Sequence, residues 1–280
     1  MRVPSTDDVS LELHDLGGHG PTLLIAHATG FCAGAYRPLA VALADRFHVW
    51  GLDFRAHGDS SQPAGGDLTW EGMADDVLAV ASVLGDGPLL AFGHSMGGAC
   101  LMGAERRVPG TLRAAFLFEP IIVPTAFDDV PGGNPMAVSA RRRRPGFATR
   151  QEALARYAGR PPLGTFRADA LHAYVEHGFV EAADGSVTLK CSPKNEAAVF
   201  EAAGKPLISE MGKAVVPTVV ACGGRDQGLG PAAFAPAVVD ALPDATLVRY
   251  AHLSHFGPFQ DPETIAAAIA TAFEPHRKDA

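Results

Sequence analysis

A serine at residue 95 lies in a sequence pattern that suits nucleophilic catalysis. Residues 93–98 read Gly-His-Ser-Met-Gly-Gly, which is G-x-S-x-G with a further glycine. An apolar run at residues 88–92 precedes the pattern, and residues 99–107, which can form a helix, follow it. A serine on a sharp strand-to-helix turn stands clear of the sheet, where its hydroxyl can attack a carbonyl carbon. The pattern therefore predicts Ser95 as a nucleophile.

The same turn requires glycine at two positions and provides one hydrogen-bond donor. A side chain at Gly93 or Gly97 would collide with the neighbouring strand or helix, and glycine avoids that collision. The helix after the serine aims its free N–H groups and its dipole at the place where a negative oxygen would form. The N–H of Met96 is therefore predicted as the first oxyanion donor.

A serine hydroxyl needs an adjacent base, and the base needs an acid that fixes its tautomer. On a strand-turn-helix scaffold the partners follow the serine in the order acid, then histidine. His255 fits that order, because it follows the last predicted strand in Ser-His-Phe-Gly-Pro, a glycine-bounded turn. His252, three residues earlier, is its direct rival.

Two carboxylates compete for the place of the acid. Asp226 directly follows a buried strand and a Gly-Gly pair, and Glu119 closes an earlier strand at the same edge of the sheet. A carboxylate after either strand could reach the histidine. The order of the partners favours Asp226, which is predicted as the acid, with Glu119 as the alternative.

The second oxyanion donor is expected from the loop at residues 27–31, which follows an early strand. The N–H of Thr29 is the prediction, and that of Phe31 is the alternative. His27 is predicted as a structural histidine that bonds the loop backbone. Phe31 and His94 adjoin the candidate donor loop and the nucleophile, and both are also expected to contact the substrate.

Buried strands alternate with helices on both sides of this turn. Besides the strand before Ser95, a continuous apolar run at residues 22–26 predicts a strand, and further strands are predicted at residues 47–52, 112–118, 215–222 and 245–250. The alternation predicts an α/β fold with a mostly parallel central sheet covered by helices on both faces. Polar loops follow these strands, and sites in such sheets gather at the carboxyl ends of the strands.

The alternation stops between residues 121 and 213, a stretch rich in proline. Helices are predicted there around residues 150–158, 168–177 and 194–204, with a short extended stretch at 186–189. The stretch is too long for a loop, so it is predicted to be an inserted, mainly helical subdomain. The core would then comprise residues 1–120 and 214–280.

A run of arginines at residues 141–144 is the most distinctive feature of this insertion. Such a run is often a solvated face. The alternative is that one or two of these arginines, with Arg141 and Arg144 as the candidates, recognise a carboxylate or a phosphate on the substrate.

Composition excludes several classes of function. The formal net charge of −8 argues against nucleic-acid binding. We expect no membrane span and no secretion signal, because no apolar stretch nears ~18 residues and the N-terminal residues are polar. The four cysteines are widely spaced, which is typical of reduced thiols in a cytoplasmic protein. The histidines form no ligand pattern, so no metal and no cofactor is expected. We expect a monomer or a homodimer.

Taken together, the motifs resemble those of the α/β-hydrolase superfamily, of the kind with a helical cap. The matching motifs, in chain order, are His-Ala-Thr-Gly-Phe at residues 27–31, Asp-Phe-Arg-Ala-His-Gly-Asp-Ser at 53–60, the serine turn at 93–98, Gly-Gly-Arg-Asp at 223–226 and Ser-His-Phe-Gly-Pro at 254–258. The resemblance implies that Ser95, Asp226 and His255 form a catalytic triad and that residues 121–213 cap the pocket. Ala28 and Ala56 stand where this family usually has glycine.

The resemblance also implies a reaction. The expected activity is hydrolysis of a carboxylic ester with a small or medium acyl group, through an acyl-enzyme on Ser95. The alternatives are a thioesterase, a lactonase or a C–C bond hydrolase, a cofactor-free perhydrolase or oxygenase, and a receptor that binds a ligand without catalysis. A serine at the turn, where the haloalkane dehalogenase and epoxide hydrolase branches carry an aspartate, argues against those branches.

Overall fold

In a computed structural model, the chain is built around an eight-stranded sheet. The structure describes residues 1–85, 87–125, 134–225 and 230–276. The strands, in chain order, are β1 (Arg2–Pro4), β2 (Ser10–Gly18), β3 (Thr22–Ala26), β4 (His48–Asp53), β5 (Leu89–His94), β6 (Leu112–Phe118), β7 (Gly146–Phe147), β8 (Phe179–Glu181), β9 (Val187–Leu189), β10 (Thr218–Gly223) and β11 (Ala245–Tyr250).

Helices connect most of these strands. The α-helices are α1 (Arg37–Leu43), α2 (Trp70–Ala81), α3 (Met96–Arg107), α4 (Pro135–Arg141), α5 (Arg150–Ala158), α6 (Ala168–His177), α7 (Pro193–Glu201), α8 (Pro231–Ala241), α9 (Gly257–Gln260) and α10 (Pro262–Phe273). Short 3₁₀ helices lie at Ala33–Tyr36, Leu163–Thr165, Ile208–Lys213 and Glu274–His276.

The sheet is parallel except at one edge. Its order is β1-β2-β4-β3-β5-β6-β10-β11, and β2 pairs antiparallel with both β1 and β4. The pairs from β4 through β11 are parallel. The carboxyl ends of β3, β5, β6 and β10 therefore meet at one edge of the sheet. The predicted α/β fold with a mostly parallel sheet is confirmed.

Both faces of the sheet are buried. In β3, Leu24 and Ala26 pack into a cluster with residues of α2, α3 and α8, whereas Leu23 and Ile25 pack into a second cluster with α1 and α10. Strands buried on both faces need apolar side chains at successive positions, which explains why β3 reads as a continuous apolar run.

Residues 121–213, which we call the inserted segment, connect β6 to β10. Two of the predicted helices lie there as α5 and α6, and the third is the shorter α7. Helix α4 was not predicted. Strand β9 lies in the predicted extended stretch at residues 186–189, and it pairs with β7 and β8, which were not predicted, in a small antiparallel sheet. Strands of two or three residues are too short to show a period of two in the sequence.

The inserted segment lies against loops of the core. Lys190 Nζ is 2.8 Å from a carboxylate oxygen of Asp59, in the loop after β4. Trp70 Nε1 at the start of α2 donates to the carbonyl of Val199 in α7, at 2.9 Å. These contacts join the segment to the edge of the sheet where β3 and β4 end. None of the helices among the described residues has the length and apolar character needed to cross a membrane.

A buried arginine ties the loop after β4 to α2. Arg55 is fully buried, and its Nε and Nη2 donate to the two carboxylate oxygens of Asp76 at 3.0 and 2.7 Å. Its Nη1 donates to Asp67 Oδ2 at 3.0 Å. Removing one partner of a buried pair leaves an uncompensated charge, which costs far more than losing an exposed pair.

Replacing Arg55 with Met is expected to lower the free energy of unfolding by about 3–5 kcal/mol, because Asp76 is left charged and buried. The measurement is urea unfolding followed by circular dichroism. The matched control is Arg107→Met. It removes an exposed pair with Asp75, which lies next to Asp76 on α2, and should lower the free energy of unfolding by at most about 1 kcal/mol. If both variants lowered the free energy of unfolding equally, the buried pair of Arg55 and Asp76 would not be the stronger stabilising interaction.

Candidate active site

Ser95 occupies a strained turn between β5 and α3. Its backbone has φ 55° and ψ −116°, a left-handed conformation that side chains of L-residues rarely adopt. Two backbone hydrogen bonds hold it there. Ser95 N donates to Phe118 O at 3.0 Å, and Ser95 O accepts from Ile121 N at 3.2 Å. The turn thus places the serine at the carboxyl end of β5, as predicted.

The glycines around Ser95 are required by close backbone approach. A Cβ on Gly97 would lie 2.1 Å from the carbonyl oxygen of Ala26 at the end of β3. A Cβ on Gly93 would lie 2.5 Å from the Cα of Gly98. Real Cβ atoms do not come so close, so any larger residue would push β5 and α3 away from their neighbours.

His255 meets a carboxylate at the same edge of the sheet. Its Nδ1 lies 2.7 Å from Glu119 Oε2, and the other oxygen of Glu119 accepts from Gly223 N at 2.8 Å. Glu119 is fully buried and directly follows β6. It also has a left-handed backbone, with φ 44°. If Nδ1–H donates to the carboxylate, the lone pair of the ring is on Nε2, as a general base requires.

The structure thus brings the alternative carboxylate to the histidine. The predicted acid, Asp226, lies outside the described residues, so its role stays a prediction. His252, the rival base, is exposed and lies 3.3 Å from Asp261 Oδ2 instead. No hydrogen bond joins Ser95 Oγ to the ring of His255 in the described part of the chain, and such bonds are often long in enzymes without substrate.

The two predicted oxyanion donors lie side by side. Thr29 Oγ1 donates to Met96 Sδ at 3.3 Å, which brings the loop after β3 against the start of α3. Across the described ranges, neither the N–H of Thr29 nor that of Met96 has an acceptor. The N–H of Phe31, the alternative donor, is used by Ala28 O at 3.1 Å. The geometry therefore favours Thr29 over Phe31 as a donor.

The ring of His94, which is expected to contact the substrate, is fully buried, and both of its nitrogens have hydrogen-bond partners. Its Nδ1 is 2.7 Å from the hydroxyl of Tyr36, which also accepts from Ala28 N at 3.1 Å. Its Nε2 is 2.8 Å from the backbone carbonyl of His255. Burial lowers the pKa of His94 well below its usual value, so the ring is neutral. No sequence signal pointed to this chain of hydrogen bonds.

Aromatic rings of the core and of the inserted segment pack against one another near these residues. Phe31 is half-buried, and its ring centroid lies 5.1 Å from that of Tyr174 and 4.9 Å from that of Phe259. Phe256, next to His255, lies 5.5 Å from Phe166 of the inserted segment. The surroundings of the loop at residues 27–31 and of His255 are thus partly apolar, with rings from both the core and the inserted segment.

Arg141 and Arg144, the expected anion-binding residues, form ion pairs at the protein surface. Arg141 pairs with Glu201, and their side chains are 51% and 40% exposed. Arg144 pairs with Glu152 and lies over the ring of Phe147, 4.4 Å from its centroid. Both guanidinium groups are thus about half exposed and pair with surface carboxylates, which favours a solvated face over the expected anion-binding role.

One group of side chains has a spacing that a metal ion could use. Ligand atoms of His14, Asp53 and Asp59 lie within 4.8 Å of one another. Asp53 is already occupied, because its oxygens accept from Ala33 N at 2.7 Å and Asp59 N at 2.8 Å and meet His14 at 2.8 Å. Asp59 pairs with Lys190. This cluster therefore fits a structural link between the core and the inserted segment.

Comparisons with known proteins agree with this architecture. A 2-(acetamidomethylene)succinate hydrolase of Mesorhizobium japonicum is 32% identical over 113 residues, which are 40% of this chain and 40% of that protein. Haloalkane dehalogenase 2 of Mycobacterium tuberculosis is 27% identical over 271 residues, 91% of this chain and 89% of the relative.

The likeness extends to a solved structure and to a family profile. The crystal structure of an E-2-(acetamidomethylene)succinate hydrolase superposes with a TM-score of 0.78 at 21% identity and covers 98% of both chains. The profile of the alpha/beta hydrolase family matches residues 23–268, which are most of the sequence. On this match and on its fold, the chain belongs to the alpha/beta hydrolase family.

Proposed function

We propose that this protein hydrolyses carboxylic esters with small or medium acyl groups through an acyl-enzyme on Ser95. The observation that carries the proposal is the contact of 2.7 Å between His255 Nδ1 and the buried carboxylate of Glu119, beside the strained turn of Ser95. A carboxylate on one ring nitrogen leaves the other as a base for the serine hydroxyl.

The reaction follows from these positions. His255 Nε2 removes the proton from Ser95 Oγ as the oxygen attacks the ester carbonyl, and the N–H groups of Met96 and Thr29 stabilise the negative oxygen. His255 then gives the proton to the leaving alcohol, which departs and leaves the acyl group on Ser95. Water, deprotonated by His255, attacks the acyl-enzyme and releases the acid.

We further propose Glu119 as the acid that orients His255. Besides its contact with the ring, Glu119 has a left-handed backbone, and such strained conformations cluster at active sites. The hydrogen bond from Gly223 N fixes the orientation of its carboxyl group. Asp226 remains the alternative, because it follows β10 closely in the sequence.

A serine nucleophile favours acyl transfer over dehalogenation. Attack by Ser95 on a haloalkane would leave an alkyl ether, which lacks the carbonyl that water attacks when it releases an acyl-enzyme. The likeness to a haloalkane dehalogenase therefore supports the scaffold, not that reaction. The name of the other relative, a succinate hydrolase, fits hydrolysis of a small carbonyl compound.

The inserted segment would act as a cap in this scheme. Phe166 and Tyr174 from that segment face Phe31 and Phe256 of the core, and apolar walls of this kind exclude water from the reacting groups. In a site with little water, the N–H groups of Met96 and Thr29 stabilise a negative oxygen more strongly.

The chain of hydrogen bonds through His94 would hold the oxyanion loop and the loop of His255 in a fixed position relative to each other. It runs from Ala28 N through the Tyr36 hydroxyl and His94 to the carbonyl of His255. Ala28 precedes a proposed oxyanion donor, and His255 is the proposed base. We therefore propose His94 and Tyr36 as positioning residues.

A fluorophosphonate probe is expected to add once to the wild-type protein, because an activated serine attacks phosphorus as it attacks a carbonyl. Intact mass measures the adduct. Ser95→Ala is expected to lose both the adduct and hydrolysis of a short-chain aryl ester, with kcat lower by about 10⁶-fold. Ser82→Ala, at the exposed end of α2, is the matched control. Equal ester turnover by wild type and Ser95→Ala would overturn the proposal.

Paired variants decide which acid acts. Glu119→Gln keeps the shape of the side chain but loses the charge that selects the tautomer of His255, so kcat is expected to fall by about 10³- to 10⁴-fold with little change in KM. Asp226→Asn is expected to change kcat by less than about tenfold. The reverse ranking of the two variants would assign the acid to Asp226.

Tyr36→Phe is expected to lower kcat by about 10- to 100-fold while KM stays within about twofold, because the base and the oxyanion loop lose their shared alignment. Tyr250→Phe, at a half-buried hydroxyl with no hydrogen bond in the described part of the chain, is the control. Titration of active sites with the phosphonate probe gives kcat per folded molecule. A lower yield of folded protein with an unchanged kcat would reduce Tyr36 to a purely structural role.

A further inference from the structure

Four consecutive arginines of the inserted segment have different surroundings. Arg141 and Arg144 are about half exposed and pair with carboxylates at the surface. Arg143 has only 20% of its side chain exposed, and its partner Glu196 only 9%. The run thus sends one guanidinium inward, where burial of a charge is costly unless the charge is paired and hydrogen-bonded.

The side chain of Arg143 packs against the loop at residues 27–31, which carries the proposed oxyanion donor Thr29. Its Nη1 lies 3.3 Å from the position that a Cβ on Gly30 would take, and Glu196 Oε1 lies 2.7 Å from the same point. Gly30 has φ +79° and directly follows Thr29. A larger residue at 30 would displace this ion pair, so the pair and the oxyanion loop are in direct contact.

The guanidinium is fixed in orientation. Its Nη1 donates to Glu196 Oε2 and its Nη2 donates to the hydroxyl of Tyr174. The ring of Tyr174 is fully buried and contacts Phe31, so the arginine is anchored to the aromatic wall of the site. A guanidinium has five N–H groups, so N–H groups remain for a ligand after those that bond Glu196, Tyr174 and the hydroxyl of Tyr157.

We propose that Arg143 binds a carboxylate on the substrate, so that the substrate is the monoester of a dicarboxylic acid. This inference rests on the proposed ester hydrolysis at Ser95. One carboxyl group of the substrate would be the ester attacked by Ser95, and the other would receive N–H groups of Arg143. The planar fork of a guanidinium matches a carboxylate, and the apolar walls strengthen the attraction.

Glu196 has a defined part in this arrangement. It neutralises Arg143 while the site is empty, and burial raises the pKa of its carboxyl group. Its charge also opposes a second anion next to Arg143, which favours a ligand group with a single charge over a phosphate dianion. Removing the charge of Glu196 should therefore strengthen binding of the substrate carboxylate, whereas removing Arg143 should abolish it.

The test compares monomethyl and dimethyl esters of succinic and glutaric acid, with proton release measured in a pH-stat. Wild type is expected to favour the monomethyl ester in kcat/KM by about 10- to 100-fold. Arg143→Met should bring this ratio near one, mainly through a higher KM. Glu196→Gln, which keeps the shape of the side chain, should raise the ratio. Arg142→Met, on an exposed neighbour in the same run, should leave it unchanged.

Binding gives a readout that does not need turnover. Calorimetry with succinate and glutarate on Ser95→Ala is expected to show binding that is lost in Ser95→Ala/Arg143→Met, with inorganic phosphate binding more weakly. The opposite effects expected for Glu196→Gln and Arg143→Met keep the test valid if one variant folds poorly, which circular dichroism would show.

The outcomes separate the two proposals. Hydrolysis of both esters at similar kcat/KM by wild type would overturn the carboxylate site and leave the esterase intact. A uniform loss of activity on both esters in Arg143→Met and Glu196→Gln would make the ion pair structural only, which also overturns the inference. No phosphonate adduct and no ester turnover above Ser95→Ala would overturn the proposed hydrolysis itself, and this inference with it.

Discussion

The left-handed backbone of Ser95 depends on close packing between β5, α3 and the end of β3. Gly97 must approach the carbonyl of Ala26, and no larger residue fits there. That approach brings the start of α3 against the loop after β3, where Thr29 meets Met96. One packing constraint thus holds Ser95 in its strained turn and brings the loop of Thr29 against the start of α3. Strain of this kind persists only where the surrounding structure over-determines it.

The register of the sheet extends the same constraint to the acid. His94 of β5 pairs with Phe118 of β6, and the residues that follow them, Ser95 and Glu119, both have positive φ. Ser95 N donates to Phe118 O, and Glu119 N donates to Ala221 O of β10. Neighbouring parallel strands therefore fix the proposed nucleophile and acid relative to each other. His255, from the loop after β11, contacts the acid. The buried ring of His94 stabilises the turn that brings it there.

The inserted segment adds chemistry that the core lacks. The core supplies the strained serine, the free N–H groups and the buried carboxylate, whereas the segment supplies aromatic walls and the inward ion pair of Arg143 and Glu196. That pair contacts Gly30, so the segment reaches the loop of the proposed oxyanion donor directly. The loop at residues 27–31 would then contact the groups that select the substrate and also supply an N–H that stabilises the transition state.

The sequence by itself determined the fold class, the turn of Ser95 and the helices α5 and α6, because these depend on local patterns. Apolar periodicity and glycine spacing act over a few residues and are visible along the chain. Tertiary structure decided that Glu119 meets His255, that Arg143 turns inward and that His94 is buried. Glu119 and His255 are 136 positions apart, and Arg143 and Glu196 are 53 apart. No local pattern encodes such distances, because they follow from strand order and from packing of the inserted segment.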